Sequence, residues 1–510
     1  MNRFTSIPPK VIIGAVIVLL MTISYASAQI SGSNRMEYQA GSLPGHNQSQ
    51  QRSLYNQLNL MYRQDNILAG TKVEFFNTAD RQISYSKFTQ KFLRYRNENL
   101  QIQIGNFYEV LGRGLLLRAF DIPGTTYQDL ISGQQYGFYQ DIEGISLRFN
   151  TDLIQAKILH GNPLDRTKGP NLNKDQRRPN LIQGGEINIS VHDNFNPGIL
   201  YLHQEYNSNM AEFGGFNAYG SSGLGINYHI EYVQDLDKNN KNFALGNNSR
   251  HAFYASINYS YDWFSLSAEY KDYHDFTLNF NEPPSLVREH SYTLLNRSTH
   301  AVQPLDERGF QLESILNIGG FNTVTLNIAN AVNDIYSSRN TFQEYYADIN
   351  YYLNDQTLVR GFADWSEDPL LNVFSRKTFG AVLEKDISSL WSTAVNLQTQ
   401  HYSIEYQYNP AANYTAQNNL LSLTVSRAPD FSFGAVLEMT DDRVETGRDL
   451  NPDIHKYKYW AGGNISYQYN QKHNIILFYG KRRGGSACTG GVCFEVPPFE
   501  GLEIKINSIL

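Results

Sequence analysis

Only two cysteines occur in 510 residues, and only one long apolar run. That run, Val11 to Leu20, gives way to Thr22, Ser24 and Ser27, short of the about 18 apolar residues a membrane-spanning helix needs. With Arg3 and Lys10 before it and Ala26-Ser27-Ala28 after it, it has the three parts of a secretory signal peptide. Cleavage would leave Gln29 as the first mature residue, dividing the chain into residues 1–28, the signal, and 29–510, the mature protein. No cysteine lies near residue 28, which excludes a lipoprotein anchor. Beyond the signal no long apolar stretch returns, and mean hydropathy is −0.44, so a bundle of membrane helices is excluded. The net charge of −7 is spread along the chain and makes no case for nucleic acid as a partner.

Motifs of catalysis are equally scarce. There is no Gly-x-Ser-x-Gly elbow and no His-Glu-x-x-His. The 12 histidines are scattered, and the pairs His192-Asp193 and His274-Asp275 have no nucleophile at a recognisable spacing. Gly480-Lys481-Arg482-Arg483-Gly484 lacks the phosphate-loop spacing. A triad assembled from distant strands would leave no motif, but no residue earns nomination. The expectation is that the protein is not an enzyme and takes no cofactor.

What the chain has in abundance is alternation. Leu224, Ile226, Tyr228, Ile230 and Tyr232 alternate with Gly225, Asn227, His229 and Glu231; Phe264, Leu266, Ala268 and Tyr270 alternate with Ser265, Ser267, Glu269 and Lys271. Such strands need an apolar medium on one face and a polar one on the other. Repeated from about Leu54 to the last residues, the pattern points to lipid outside and a wet lumen inside. The 35 Tyr and 28 Phe suit the two bilayer interfaces, where rings with a polar tip collect. Ile226, Leu266 and Ile504 are expected to face lipid, and Glu231, Glu269 and Lys505 the lumen.

Short turns and long connections take turns along the chain. Tight turns fall at Asn97-Glu98, Asn150-Thr151-Asp152, Tyr261-Asp262, Gly319-Gly320, Asn354-Asp355, Pro429-Asp430 and Gln471-Lys472. Between them lie Gly161 to Ile182, Leu236 to Arg250, His274 to Arg308, Ser403 to Asn418 and Asp441 to Tyr457. That asymmetry belongs to outer-membrane barrels, with short periplasmic turns and long extracellular loops. The expected fold is all-β: a single closed antiparallel transmembrane β-barrel of about 22–24 strands. Residues 29–52 remain as a lead-in or first strand, too few for a plug domain. The lumen of so wide a barrel is then open, or obstructed by inward-folded loops.

Cys488 and Cys493 flank Thr489-Gly490-Gly491-Val492. In an exported chain this spacing reads as a disulfide pinning one loop; the competing metal reading lacks the remaining ligands zinc requires.

Two segments break the rhythm. In Gly105 to Phe120, Leu115 to Leu117 are apolar on both faces and so need burial on both. Either this is a loop folded into the lumen, with Arg113 and Arg118 paired to wall carboxylates and constricting the pore, or a bulged strand with its tip above the membrane. His274 to Arg308 carries Arg288-Glu289-His290, Arg297, His300 and Asp306-Glu307-Arg308. It reads as a lid over the lumen or as a solvated surface loop. Asp441-Asp442, Glu445, Asp449 and Asp453 offer oxygen ligands, but not at the spacing of a calcium loop. A solvated acidic loop fits them better, and no metal site is expected.

At Gly105 to Phe120, at Pro283-Pro284-Ser285-Leu286-Val287-Arg288-Glu289-His290 with Asp306-Glu307-Arg308-Gly309-Phe310, and at Gly480-Lys481-Arg482-Arg483-Gly484-Gly485 with the cysteine pair, the chain resembles an outer-membrane β-barrel family of unknown function from Bacteroidota. The resemblance covers most of the mature chain and implies fold and an outer-membrane location. It brings no activity, ligand or catalytic residue. Where such barrels usually end in an aromatic residue, this chain ends Ile506-Asn507-Ser508-Ile509-Leu510. The leading expectation is a porin-like or substrate-selective passive conduit, in contact with outer-membrane lipid and lipopolysaccharide and passing a small solute. The alternative is a surface scaffold or envelope component binding a protein partner through its long loops, without transport.

Overall fold

The computed structural model describes residues 30–44, 51–165, 169, 177, 180–206, 209–236, 250–278, 280, 281, 283, 285, 287–301, 306–335, 338–451, 453 and 455–510. The signal at 1–28 lies outside the described residues.

The alternating segments form one antiparallel sheet of 24 strands closed into a barrel. Each strand pairs with its sequence neighbours, from Ile30–Ser42 through Gln51–Gln64 and onward to His473–Arg482. The last strand, Phe499–Ile509, pairs with His473–Arg482 on one side and with Ile30–Ser42 on the other, from Ser33↔Ile509 to Ser42↔Glu500. Residues 29–52, expected as a lead-in or first strand, thus include the strand Ile30–Ser42 that seals the wall. Its alternation is hard to see because its outward positions include Gly32 and Asn34, where the rhythm expects apolar residues.

Register sorts the faces. Residues directly opposite on neighbouring antiparallel strands point to the same side. Ile187↔Ile199, Leu397↔Leu421, Leu421↔Leu437 and Leu477↔Ile504 form outward pairs. Ile199, Leu397, Leu421 and Leu437 stay exposed around the circumference. A continuous apolar belt of this kind is far larger than a water-soluble monomer displays and fits a bilayer. Between these positions lie Glu186, Glu231, Lys271, Glu344, Glu438 and Glu503, all buried. No helix of the described residues is long and apolar enough to cross a membrane.

The long connections all lie at one end of the wall, and every connection at the other end is a short turn. Three long connections turn inward: residues 108–141 after Leu100–Phe107, residues 275–305 after Phe264–His274, and residues 483–498 after His473–Arg482. Among the described residues there is no separate plug domain, and these connections occupy part of the lumen.

Candidate functional site

The first connection folds into the lumen. After Leu100–Phe107 a tight ribbon, Val110–Leu111 against Leu117–Arg118, carries its tip along the wall to the strands Asn180–Ile189 and Ile226–Asp235. There the Gly112 amide donates to Glu186, and the Arg113 amide donates to Glu231 Oε2 at 2.6 Å. Gly112 sits at φ +55°, and a Cβ on it would meet the Glu231 carboxylate at 2.1 Å. Only glycine lets two successive amides approach two carboxylates so closely. Behind the tip Leu115, Leu116 and Leu117 are fully buried with Ile182, Leu200, Leu202, Val233 and Tyr273 of the wall. Both faces of this leucine run are covered because wall and connections enclose it. The segment then returns as the ribbon Phe120–Gln128 with Gln135–Gln140 along the inside of the first strands. Glu74 receives the Gly137 amide at 2.9 Å and the Tyr139 hydroxyl at 2.8 Å. Burial pushes the Asp141 carboxyl up, against the pull of Arg177 2.7 Å away.

The second connection is held by charge. Arg288 pairs with Glu313, His290 Nε2 lies 3.0 Å from Glu344 Oε1, and Arg297 lies 2.9 Å from Glu438 Oε2. His300 is buried between Asp368 (Nδ1 to Oδ2 2.8 Å) and Glu307 (Nε2 to Oε2 3.3 Å), stacked on Phe342. Glu307 in turn meets Lys271 at 2.5 Å, both fully buried. Burial opposes a charge on the His300 ring, but the hydrogen bonds and negative charges of Asp368 and Glu307 prevail and raise its pKa to about 9. A one-turn helix, Thr293–Asn296, buries Leu294 and Leu295 between these anchors.

The third connection is a hairpin, Gly485–Thr489 with Val492–Val496. Its two-residue turn, Gly490-Gly491, has both residues at positive φ, the geometry that matches strand twist. Cys488 and Cys493 face each other across it and form a disulfide. This hairpin joins the other two connections. Arg118 donates to the carbonyls of Gly490 and Gly491, and Phe138 packs on Phe494 with ring centroids 4.6 Å apart. Asn296 exchanges two hydrogen bonds with the Cys488 backbone, at 2.9 and 3.0 Å, and the Gly491 amide donates to Glu289 at 3.0 Å. First and second connections touch directly as well, through Asn281, which donates to the Gly114 and Leu115 carbonyls and accepts from the Arg118 amide.

Several expected roles change. Arg118 donates to carbonyls of the disulfide hairpin, and Arg113 meets the wall carboxylate of Glu231 through its backbone amide. Asp306, Glu307 and Arg308 belong to the wall strand Asp306–Asn317 and not to a loop. Glu307 faces in, whereas Arg308 shares the outward face with Phe310, and Asp306 pairs with His274 at the rim. Pro284 and Leu286 lie outside the described residues. In the acidic loop, Asp442 is buried, caps the turn Arg443–Thr446 and accepts from Tyr402; Glu445 pairs with Arg483. No group of three His, Cys, Asp or Glu among the described residues is placed to hold a metal ion. The wall residues that grip the connections were legible only as charges inside alternating strands, such as Glu231, and nothing in sequence pairs them with a segment far away.

The model of a family of unknown function, DUF6029, matches residues 10–510. The chain belongs to DUF6029. No functionally curated protein matches it. Among solved structures, the translocation pore of the P pilus usher PapC is similar over 94% of this chain and 99% of its own, at 8% identity and TM-score 0.48. OccK5 (OpdH) of Pseudomonas aeruginosa matches over 67% and 92%, at 12% identity and TM-score 0.37. Wzi of Escherichia coli, an outer-membrane protein involved in group 1 capsule assembly and a carbohydrate-binding β-barrel, matches over 69% and 83%, at 10% identity and TM-score 0.34. Likenesses this distant do not bear on what the DUF6029 barrel carries.

Proposed function

We propose that this barrel is a substrate-selective passive conduit of the outer membrane, closed at rest by its own three connections and opened by their partial displacement. One observation carries the reading: the obstruction is built from segments of the wall's own connections, which grip each other and the wall by hydrogen bonds and ion pairs. Such contacts can be exchanged for water at modest net cost. The long-connection end faces outward from the cell, export proceeds through the signal at 1–28, and no enzymatic step is assigned to any residue.

The test is conductance in planar bilayers, comparing the full chain with a variant in which residues 485–496 are replaced by a short glycine-serine linker. The conduit reading expects rare or small openings for the full chain and larger, more frequent ones for the variant. A second reading, a closed scaffold that binds a surface partner, is favoured by the leucine core between connection and wall. A folded protein silent in both forms would leave that scaffold as the better account.

A further inference from the structure

The inner wall near the short-turn mouth carries arginines that the obstruction does not use. Arg63↔Leu68, Leu68↔Arg94, Arg94↔Gln103 and Gln103↔Ser146 stand opposite one another across five strands. Ser146 contacts Glu109 of the first connection, which fixes this row as lumen-facing. The adjacent row toward the turns runs Arg96↔Gln101 and Gln101↔Arg148. Several other lumen-facing wall cations have carboxylate partners: Arg148 has Glu109, Lys157 has Glu186, Lys271 has Glu307 and Arg482 has Glu503. Arg63 and Arg96 make no ion pair with a described residue, and the Arg94 side chain donates to the neutral Gln103 at 2.7 Å.

These three arginines line a cavity of about 750 Å³ at the mouth, with Asp65 and Glu98 of the flanking turns as its acidic residues. A second cavity of about 530 Å³ shares Arg94 and extends inward to Lys72 and Asp121, beneath the first connection. Three guanidiniums without ionic partners in a recess open to water attract oxyanions, and each offers a planar fork that matches a carboxylate or phosphate.

We propose that Arg63, Arg94 and Arg96 form a binding site for small multivalent oxyanions, carboxylates or phosphates, at the short-turn mouth of the lumen. The site would supply the selectivity of the proposed conduit, yet it binds whether or not the barrel conducts. Arg63 and Arg96 are exposed to the cavity, whereas Arg94 is half-buried. A ligand therefore meets the first two directly and Arg94 at the back.

The experiment is isothermal titration of citrate, inorganic phosphate and glucose into the full chain folded in detergent at low ionic strength. Alongside it run the variant Arg63→Gln/Arg96→Gln and a control, Lys481→Gln, at an exposed ion pair with Glu500. The expected result is saturable citrate binding, weaker binding of phosphate and none of glucose. The arginine variant should lose about tenfold or more in citrate affinity, since hydrogen bonds to charged groups are at stake. Its melting temperature should match that of the full chain. Citrate binding that is absent, equal in the arginine variant, or matched by glucose would overturn the site. The conduit reading is judged separately, by conductance of the same preparation.

Discussion

The two sides of the lumen hold their shares of the obstruction by different forces. On one side Leu115, Leu116 and Leu117 sit in an apolar core with Ile182, Leu200, Leu202 and Val233. On the other, residues 288–300 are fastened by Arg288, His290, Arg297 and His300 to wall acids. Apolar burial is non-directional and is not weakened by ionic screening. Ion pairs depend on geometry, ionic strength and pH. On the proposed conduit reading, the charged side is the releasable one, and opening should begin there.

The largest effect should come from the apolar side. Leu116→Ala should loosen the first connection by about 3 kcal/mol, within the range for leaving a cavity in a packed core, read as faster hydrogen exchange at residues 110–119. Unchanged exchange there would mean that the core does not anchor the segment, and the contrast between the sides would fail.

On the charged side, His300 gives a pH dependence with a definite sign. Its pKa in the folded barrel is raised to about 9, above the ordinary value of about 6.5. Its stabilising contribution is complete below about pH 6.5 and is lost as pH rises through about 9. It amounts to up to about 3 kcal/mol for so buried a group. Exchange protection of residues 293–300 should fall across that window, and His300→Asn should remove the dependence while lowering protection at pH 6. A flat profile in the unsubstituted chain would count against a charged, doubly bonded His300.

Opening the disulfide should have an intermediate effect. Replacing both cysteines by serine should cost the hairpin about 2 kcal/mol on the chain-entropy view, and because the hairpin touches both other connections, protection should drop in all three. If only residues 485–496 respond, the hairpin is a passenger on the charged side.

Arg297→Gln should be the mildest, about 1 kcal/mol, because the pair with Glu438 keeps some contact with water. The difference from the unsubstituted chain should shrink in high salt. An equal difference at low and high salt would indicate lost packing and not lost charge.

Much of the wall could be read without a structure. The strands around Ile226 and Leu266 show period-two alternation, and the turns at Asn97-Glu98, Gly319-Gly320 and Gln471-Lys472 fall at the short-turn end. Both are local signals, set by neighbouring residues. The connections were harder. Leu115 to Leu117 signalled that both faces needed cover but could not say by what. Asn281 and Asn296 gave no signal at all, and Glu186 and Glu438 showed only as charges inside alternating strands, because each acts on a partner far away in sequence.

By itself the sequence determined the wall: an alternation that demands lipid on one side and a polar lumen on the other. It also determined the close cysteine pair, since a separation of 5 residues across a Gly-Gly turn is a local matter. Only the tertiary structure decided that Ile30–Ser42 seals the barrel against Phe499–Ile509, and that three connections meet inside it. Closure brings together residues more than 300 apart, as with Arg118 and Gly491. The physical reason is that a circular wall folds long-range contacts into its centre, where no pattern along the chain records which side chains will face one another.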